Sequence, residues 1–175
     1  MDTIQVQVLP APDDRNIEEL SDVLIDCVEG GASVSFMLPI ARTTAVAFWQ
    51  TVAASVRRGE RILLIARDAA QRIVGTVQII VEQAENQPHR ADIAKMLVHR
   101  RARRHGVGAA LLAAAEQAAR NAGKTLLVLD TASGDAERLY AKLGWRRCGV
   151  IPGYALLPGG GLCDTTFYYR SLASR

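Results

Sequence analysis

Two glycines, Gly106 and Gly108, stand where a basic run passes into an alanine-rich stretch, RRHGVGAALLAAA. The first four N–H groups of a helix have no partner within it, and the helix dipole makes that end partly positive. Glycine lets ligand atoms approach the backbone closely. With Arg103, Arg104 and His105 just before it, this join is suited to binding a phosphate or diphosphate.

The residues alone leave two other interpretations of the join open. It can be a solvated basic turn before a helix, or the arginine run Arg100–Arg104 can bind nucleic acid. No interleaved aromatic residues or known reading motif accompany these arginines. The glycine spacing also differs from the dinucleotide fingerprint GxGxxG and from a P-loop, which needs GK[ST].

Three side chains elsewhere could move a proton. Asp130 ends TLLVLD, at the carboxyl end of a predicted strand, although it could merely cap the next helix. Asp92 lies in HRADIAKMLV, and its alternative is a surface ion pair with Arg90 or Lys95. Tyr140 carries a phenol that stays protonated at neutral pH, and its alternative is a packed helix aromatic.

Composition predicts an ordinary globular chain, and we expect one domain over residues 1–175. Of 175 residues, 49% are hydrophobic and 22% charged, and the net charge of +3 is too small to indicate nucleic-acid binding. Three cysteines and three histidines lack disulfide or ligand spacing, so we expect no metal. No apolar run is long enough for a membrane helix and no signal peptide is recognisable, which predicts a cytoplasmic protein.

Hydrophobic periodicity predicts the order β-α-α-β-β-β-α-β-α-β-β. Gly30 and Gly59 are expected to end the first two helices, and Thr43 or Thr44 to cap the second. KTLLVLD reads as a strand covered on both faces, and PGYALLPGGGLCD, residues 152–164, as a loop. Hairpins before a single β-α-β crossover predict an α/β (α+β) fold with a mixed, mostly antiparallel sheet and helices on both faces.

MLVHRRARRHGVGAALL resembles the acyl-CoA signature of the GCN5-related N-acetyltransferases (GNAT), Arg/Gln-x-x-Gly-x-Gly/Ala, at Arg103, Gly106 and Gly108. AERLYAKLGW resembles the family's second signature, with Tyr140 and Trp145 in place. The resemblance implies the GNAT fold and an enzyme that uses acetyl-CoA, without a metal. It implies cofactor contacts from these residues: Met96, Leu97, Val98, Arg103, Arg104, His105, Gly106, Val107, Gly108, Ala109, Ser133 and Tyr140.

Three positions depart from the family pattern. Arg100 replaces a frequent proline, Arg104 a frequent glycine, and Ser133 a frequent asparagine that contacts pantetheine. A bulge in the strand at Met96–Val98 would free main-chain groups for pantetheine, and a backbone N–H there would stabilise the oxyanion.

Acetylation of an amine needs a base, because an alkyl amine with a pKa near ~10.4 is almost wholly protonated at pH 7. Asp92 and Asp130 are both candidates, and Tyr140 is the candidate acid for the leaving thiolate. No base is visible beside Cys148 or Cys163, so we expect direct attack in a ternary complex. A non-catalytic acyl-CoA sensor is the alternative.

The segment GGASVSFMLP, residues 30–39, could line or cover an acceptor pocket, or simply connect two helices. It resembles, with RADIAKMLV, LDT and PGYALLPGG, the corresponding segments of tabtoxin-resistance acetyltransferases. That resemblance implies a small polar, amino-acid-like amine as acceptor. The expected substrate-binding residues are Gly31, Ser33, Phe36, Asp92, Asp130 and Tyr154. We expect no nucleic-acid or membrane partner, and edge strands near the C-terminus could pair in a homodimer.

Overall fold

The computed structural model describes residues 4–172. Its elements are β1 (Gln5–Val8), α1 (Asp14–Glu29), α2 (Arg42–Arg57), β2 (Arg61–Arg67), β3 (Ile73–Ile80), β4 (Arg90–Val98), α3 (Val107–Asn121), β5 (Leu126–Thr131), α4 (Gly134–Lys142), β6 (Arg146–Leu156) and β7 (Leu162–Ser171). This is the predicted order, with one added 3-10 turn at Arg100–Ala102. Within the described part of the chain, no helix is long and apolar enough to cross a membrane.

The seven strands form one sheet in the order β1-β2-β3-β4-β5-β7-β6. Every neighbouring pair is antiparallel except β4 and β5, which are parallel. The chain reaches β5 from β4 through α3, the crossover that a parallel pair requires. The predicted mixed, mostly antiparallel sheet is therefore confirmed.

Helices cover both faces of the sheet, as predicted. Alternate side chains of a strand point to opposite faces, so Leu63 of β2 packs under α1 and α2 while Leu64 packs under α3. Trp49 of α2, among the largest fully buried side chains, lies in the core under α1 and α2. We refer to the two sides as the α1/α2 face and the α3/α4 face.

A gap opens between β4 and β5 in the middle of the sheet. The two strands pair only from Arg90–Leu126 to Asp92–Val128 and then separate. Just beyond, Lys95 and Met96 stand opposite a single residue of β3, and Lys95 has a positive φ of 48°. Such a bulge bends its strand and leaves main-chain groups unpaired. The expected bulge is thus present, but it begins at Lys95, one residue before the predicted Met96–Val98.

The predictions for one loop and for one helix cap were wrong. Most of the predicted loop 152–164 belongs to strands, because β6 continues to Leu156 and β7 begins at Leu162. Pro152 is tolerated since β6 is an edge strand with an irregular register there. The cap of α2 is Ala41, without a side-chain hydrogen bond, so neither Thr43 nor Thr44 caps the helix.

Candidate active site

A pocket of about 320 Å³ occupies the gap between β4 and β5. Asp92 and Asp130 line it from its two sides, with Phe167 of β7 contributing to the wall. Val128 also lines it, so β5 is covered by packed side chains on one face only, contrary to the sequence prediction. The structure therefore brings the two predicted carboxylates together in one open cavity.

Asp92 is held by two neighbours. Its Oδ2 accepts a hydrogen bond from Gln83 Nε2 at 3.2 Å and lies 3.4 Å from a guanidinium nitrogen of Arg90. The ion pair expected as an alternative role for Asp92 is thus present with Arg90. In the described part of the chain, no ion pair joins Asp92 to Lys95.

Asp130 lies where β5 leaves its pairing with β4. Asp130 is exposed overall, but partial desolvation at the pocket wall raises the pKa of its carboxyl, and the nearby charge of Asp92 adds to this effect. Lys95 and a backbone hydrogen bond act in the opposite direction. A carboxylate with a raised pKa is a stronger base than an ordinary aspartate.

Tyr140 belongs to the buried cluster of the α3/α4 face. Its ring packs beside Trp145 and Tyr168, with ring centroids 5.8 and 5.6 Å away. Burial raises the pKa of the Tyr140 phenol, and the charge of Asp130 raises it further. The ring is therefore a packed helix aromatic, as one interpretation of the sequence held. The charge of Asp130 in the pocket also interacts with the Tyr140 phenol.

The join between the basic run and α3 has the conformation that glycine favours. Gly106 caps α3 with a φ of 79°, and no side chain caps the helix. The carbonyl of Gly106 accepts the N–H of Ala110, so the N–H groups of Val107, Gly108 and Ala109 lack partners within the helix. A Cβ built at Gly106 would meet nothing within 4 Å. This open helix end fits a diphosphate.

Gly108 has a second reason to lack a side chain. A Cβ built there would lie 3.0 Å from Leu139 of α4 and 3.8 Å from Met96 of β4. The glycine thus lets α4, which carries Tyr140, approach the start of α3. The sequence assigned Gly108 only to ligand approach, and helix packing is an additional cause.

The arginine run is largely engaged within the protein. Arg100 donates to the Asp26 carboxylate, Arg101 to the carbonyl of Ile73, and Arg103 Nε to the carbonyl of Val98 at 3.2 Å. Arg104 and His105 are exposed beside the glycine join. These internal bonds weaken the nucleic-acid interpretation, which needs the whole run free.

Arg104 adopts a φ of 64°, the left-handed conformation that a glycine accepts without strain. We expect Arg104→Gly to stabilise the protein by about 0.5–1 kcal/mol, the left-handed strain of an ordinary residue less the entropy cost of glycine. Chemical denaturation measures this change. Arg103→Gly is the matched control, because Arg103 has a φ of −68° and should lose stability. Equal losses in both variants would contradict the strain argument.

The remaining predicted cofactor contacts have structural roles as well. Leu97 is buried in the core of the α1/α2 face and Val107 in that of the α3/α4 face, so only their main chains can reach a ligand. Ser133 caps α4, its hydroxyl accepting the N–H of Ala136 at 3.4 Å.

The predicted acceptor residues lie on two segments that are tied together. Ser33 Oγ donates to the carbonyl of Leu156 at 3.0 Å, which links segment 30–39 to β6. Phe36 packs against Phe48 of α2 at a centroid distance of 5.3 Å. Tyr154 packs at 5.7 Å against the pocket residue Phe167. Gly31 has a φ of 86° just after α1, a position explained by helix termination.

Sequence reasoning missed the cationic side of this region. Lys95 donates to Ser35 Oγ at 3.1 Å, and its charge acts on Asp130. Arg61 of β2 donates to Gln78 Oε1 at 2.6 Å on the same face of the sheet. No sequence signal identified them, because a bulge that redirects one lysine and a contact between two strands are tertiary features.

Solved structures share this fold across very different acceptors. An N-acetyltransferase from Staphylococcus aureus Mu50 superposes with a TM-score of 0.79 at 16% identity, covering 98% of this chain and 99% of that one. Ribosomal-protein-alanine N-acetyltransferase from Brucella melitensis superposes with a TM-score of 0.76 at 19% sequence identity, covering 95% of this chain and 99% of that one. A GNAT phosphinothricin acetyltransferase from Sinorhizobium meliloti, solved with acetyl-CoA, superposes with a TM-score of 0.78 at 16% sequence identity, covering 98% of this chain and 89% of that one. At these identities the likeness establishes the fold and leaves the acceptor open.

A family model shows which family the chain belongs to, which structural likeness at these identities does not. The model of the acetyltransferase (GNAT) family matches residues 34–145, more than half of the chain. The match includes β4, the glycine join, α3, β5 and α4 with Tyr140. The chain therefore belongs to the GNAT family and is an acetyl-CoA-dependent N-acetyltransferase.

Proposed function

We propose that this enzyme, a single domain over residues 1–175, acetylates the primary amine of a small polar, amino-acid-like acceptor. The observation that carries the proposal is the pocket in the gap between β4 and β5, with Asp92 and Asp130 on its walls. Its volume of about 320 Å³ lies at the small end of ligand sites. A toxin or antibiotic of this size is one candidate acceptor, and the cytoplasm is the expected site of the reaction.

The donor side is proposed to lie at the start of α3. Acetyl-CoA supplies the activated acetyl group when bound. The free N–H groups of Val107, Gly108 and Ala109 would hold its diphosphate, with Arg104 and His105 adding charge or donors at the open side. Main-chain groups freed by the bulge at Met96 are suited to hold pantetheine and the thioester oxygen.

We assign the base to Asp130 and the donor for the leaving thiolate to Tyr140. Asp130 has a raised pKa, whereas Asp92 is engaged by Arg90 and Gln83 and would orient the acceptor. Removing a proton from an alkyl ammonium at pH 7 costs about 4–5 kcal/mol, which a base in the pocket offsets. Because burial raises the pKa of Tyr140, its phenol remains protonated and able to donate a hydrogen bond.

Direct attack is the proposed route, and the cysteines support it. Cys27 is buried, and burial raises the pKa of its thiol, the opposite of an activated nucleophile. Cys148 is exposed on the edge strand β6. Among the described residues that line the pocket, none is a cysteine. Mass spectrometry after incubation with acetyl-CoA alone should therefore detect no acetylated cysteine.

An amine panel tests the proposed function. Thiol release from acetyl-CoA is measured with small amines, amino acids and peptides, and a reaction without amine measures hydrolysis. We expect turnover with small amino-acid-like amines well above hydrolysis and above all peptides. Turnover confined to peptides would overturn the acceptor class, and acetyl-CoA binding without any turnover would favour a sensor.

A further inference from the structure

We propose that Lys95, supported by Arg61 and Gln78, binds a carboxylate of the acceptor, so that the pocket recognises amine and carboxylate together. This inference rests on the proposed function and deepens it. It makes Lys95 a specificity-determining residue, separate from the groups that move protons.

Lys95 places its ammonium beside segment 30–39, which is expected to line the acceptor pocket. It follows Ala94, which lines the pocket, and the bulge gives it a φ of 48°. Its Nζ contacts Ser35 Oγ of segment 30–39 at 3.1 Å and lies 5.9 Å from the centre of the Phe48 ring on α2. The ammonium therefore lies between this segment and α2, and its charge interacts with that of Asp130 in the pocket wall.

The charge of Lys95 is incompletely compensated. In the structure of residues 4–172 no carboxylate forms an ion pair with it, and Asp130 is the acidic group that acts on it from a distance. Burial lowers the pKa of its ammonium, and the charge of Arg61 lowers it further. A desolvated ammonium is costly unless an anion or hydrogen bonds compensate it.

A second, independent observation supports a ligand here. Gln78 is completely buried on β3, directly opposite Ala94 of the pocket wall. Its Oε1 accepts from Arg61, and its Nε2 is a buried donor without a hydrogen-bond partner in the described part of the chain. Buried donors are nearly always paired, and a carboxylate oxygen that reached Gln78 beside Arg61 would supply the missing acceptor.

The signs of the charges on this face are complementary to those of an α-amino acid. Asp92 and Asp130 supply negative charge for the amine, while Lys95 and Arg61 supply positive charge on the same α1/α2 face of the sheet. Arg61 is itself fixed, because its Nε donates to Ser55 Oγ at 2.9 Å. An amine without a carboxylate would leave the Lys95 charge without a partner, which gives the pocket a physical basis for selecting amino carboxylates.

The test compares L-amino acids with their C-terminal amides, in acetylation assays and in calorimetric titration of the CoA-loaded protein. We expect the wild-type enzyme to prefer the acid over its amide by about 30-fold or more, the effect of removing one partner from a desolvated charge pair. Lys95→Met should abolish this preference, because the amino acid with a free carboxylate would bind and react less well. Lys95→Arg should restore part of the preference. Lys142→Met, an exposed lysine on α4, is the matched control and should keep the wild-type preference.

The outcomes separate this inference from the proposed function. If the C-terminal amides are acetylated as fast as the amino acids, or if Lys95→Met keeps the wild-type preference, the carboxylate subsite is overturned while the proposed function stands. If no amine is acetylated, the proposed function fails, and calorimetry still decides. Acid binding that Lys95→Met removes supports the subsite, and absence of heat with every acid overturns it. The wild-type comparison needs no variant, so a poorly folded Lys95→Met leaves the test intact.

Discussion

Replacement of Tyr140 by phenylalanine is expected to lower kcat by about 10²–10⁴-fold, the range for loss of a positioned proton donor. The ring stays between Trp145 and Tyr168, so the fold should be retained. The KM for acetyl-CoA should change little, because the proposed role of the hydroxyl is at the leaving sulfur and not at the diphosphate. Initial rates of thiol release, with the best acceptor of the amine panel, measure both constants.

Tyr168→Phe is the matched control. It removes a hydroxyl from the neighbouring ring, together with a hydrogen bond of 3.1 Å to Glu137. We expect a stability loss of about 1 kcal/mol and a kcat near that of the wild type. A wild-type kcat in Tyr140→Phe would restrict Tyr140 to packing, and an equal loss in both variants would show that the aromatic cluster as a whole matters.

Asp130→Asn is expected to reduce kcat by a similar 10²–10⁴-fold and to change the pH profile. In the wild type, kcat/KM should rise with pH as Asp130 ionises, above the ordinary aspartate range because burial raises its pKa. The variant should lose this acidic limb. Asp92→Asn is the control, and a larger loss there would reverse the assignment of the base.

The same variant has a second, thermodynamic consequence. The folded protein binds the Asp130 proton more tightly than the unfolded chain does, so ionisation of Asp130 destabilises the fold. This cost is absent below the unfolded pKa and grows as pH rises through the raised, folded pKa. Asp130→Asn should therefore be more stable than the wild type at pH 7 and equally stable at low pH. Denaturation at both pH values checks the sign, and lower stability at pH 7 would contradict it.

Local sequence patterns predicted the element order and the glycine join. The hydrophobic periodicity of the elements and the glycines at the start of α3 report conformations that neighbouring residues largely determine. The resemblance to the GNAT signatures added the fold and the donor. These features depend on short stretches of chain, and the structure agrees with them.

Tertiary contacts limited the rest. The extension of β6 past Pro152 depends on its edge position, and the hydrogen bond from Gln83 to Asp92 depends on how the chain after β3 approaches β4. The direction of Lys95 depends on a bulge whose exact residue no pattern specified. Each of these requires the relative placement of distant segments, about which a single sequence carries little information.

The limited pairing of β4 with β5 also has an evolutionary consequence. It divides the sheet into a block of β1–β4 and a block of β5–β7, and segment 30–39 spans the two through Ser33 and through Leu38, whose N–H donates to Pro158. Natural variation in this bridging segment can change the choice of amine without disturbing the proposed diphosphate site at the start of α3. Homologues with new acceptors should therefore diverge earliest there and in the β6–β7 turn.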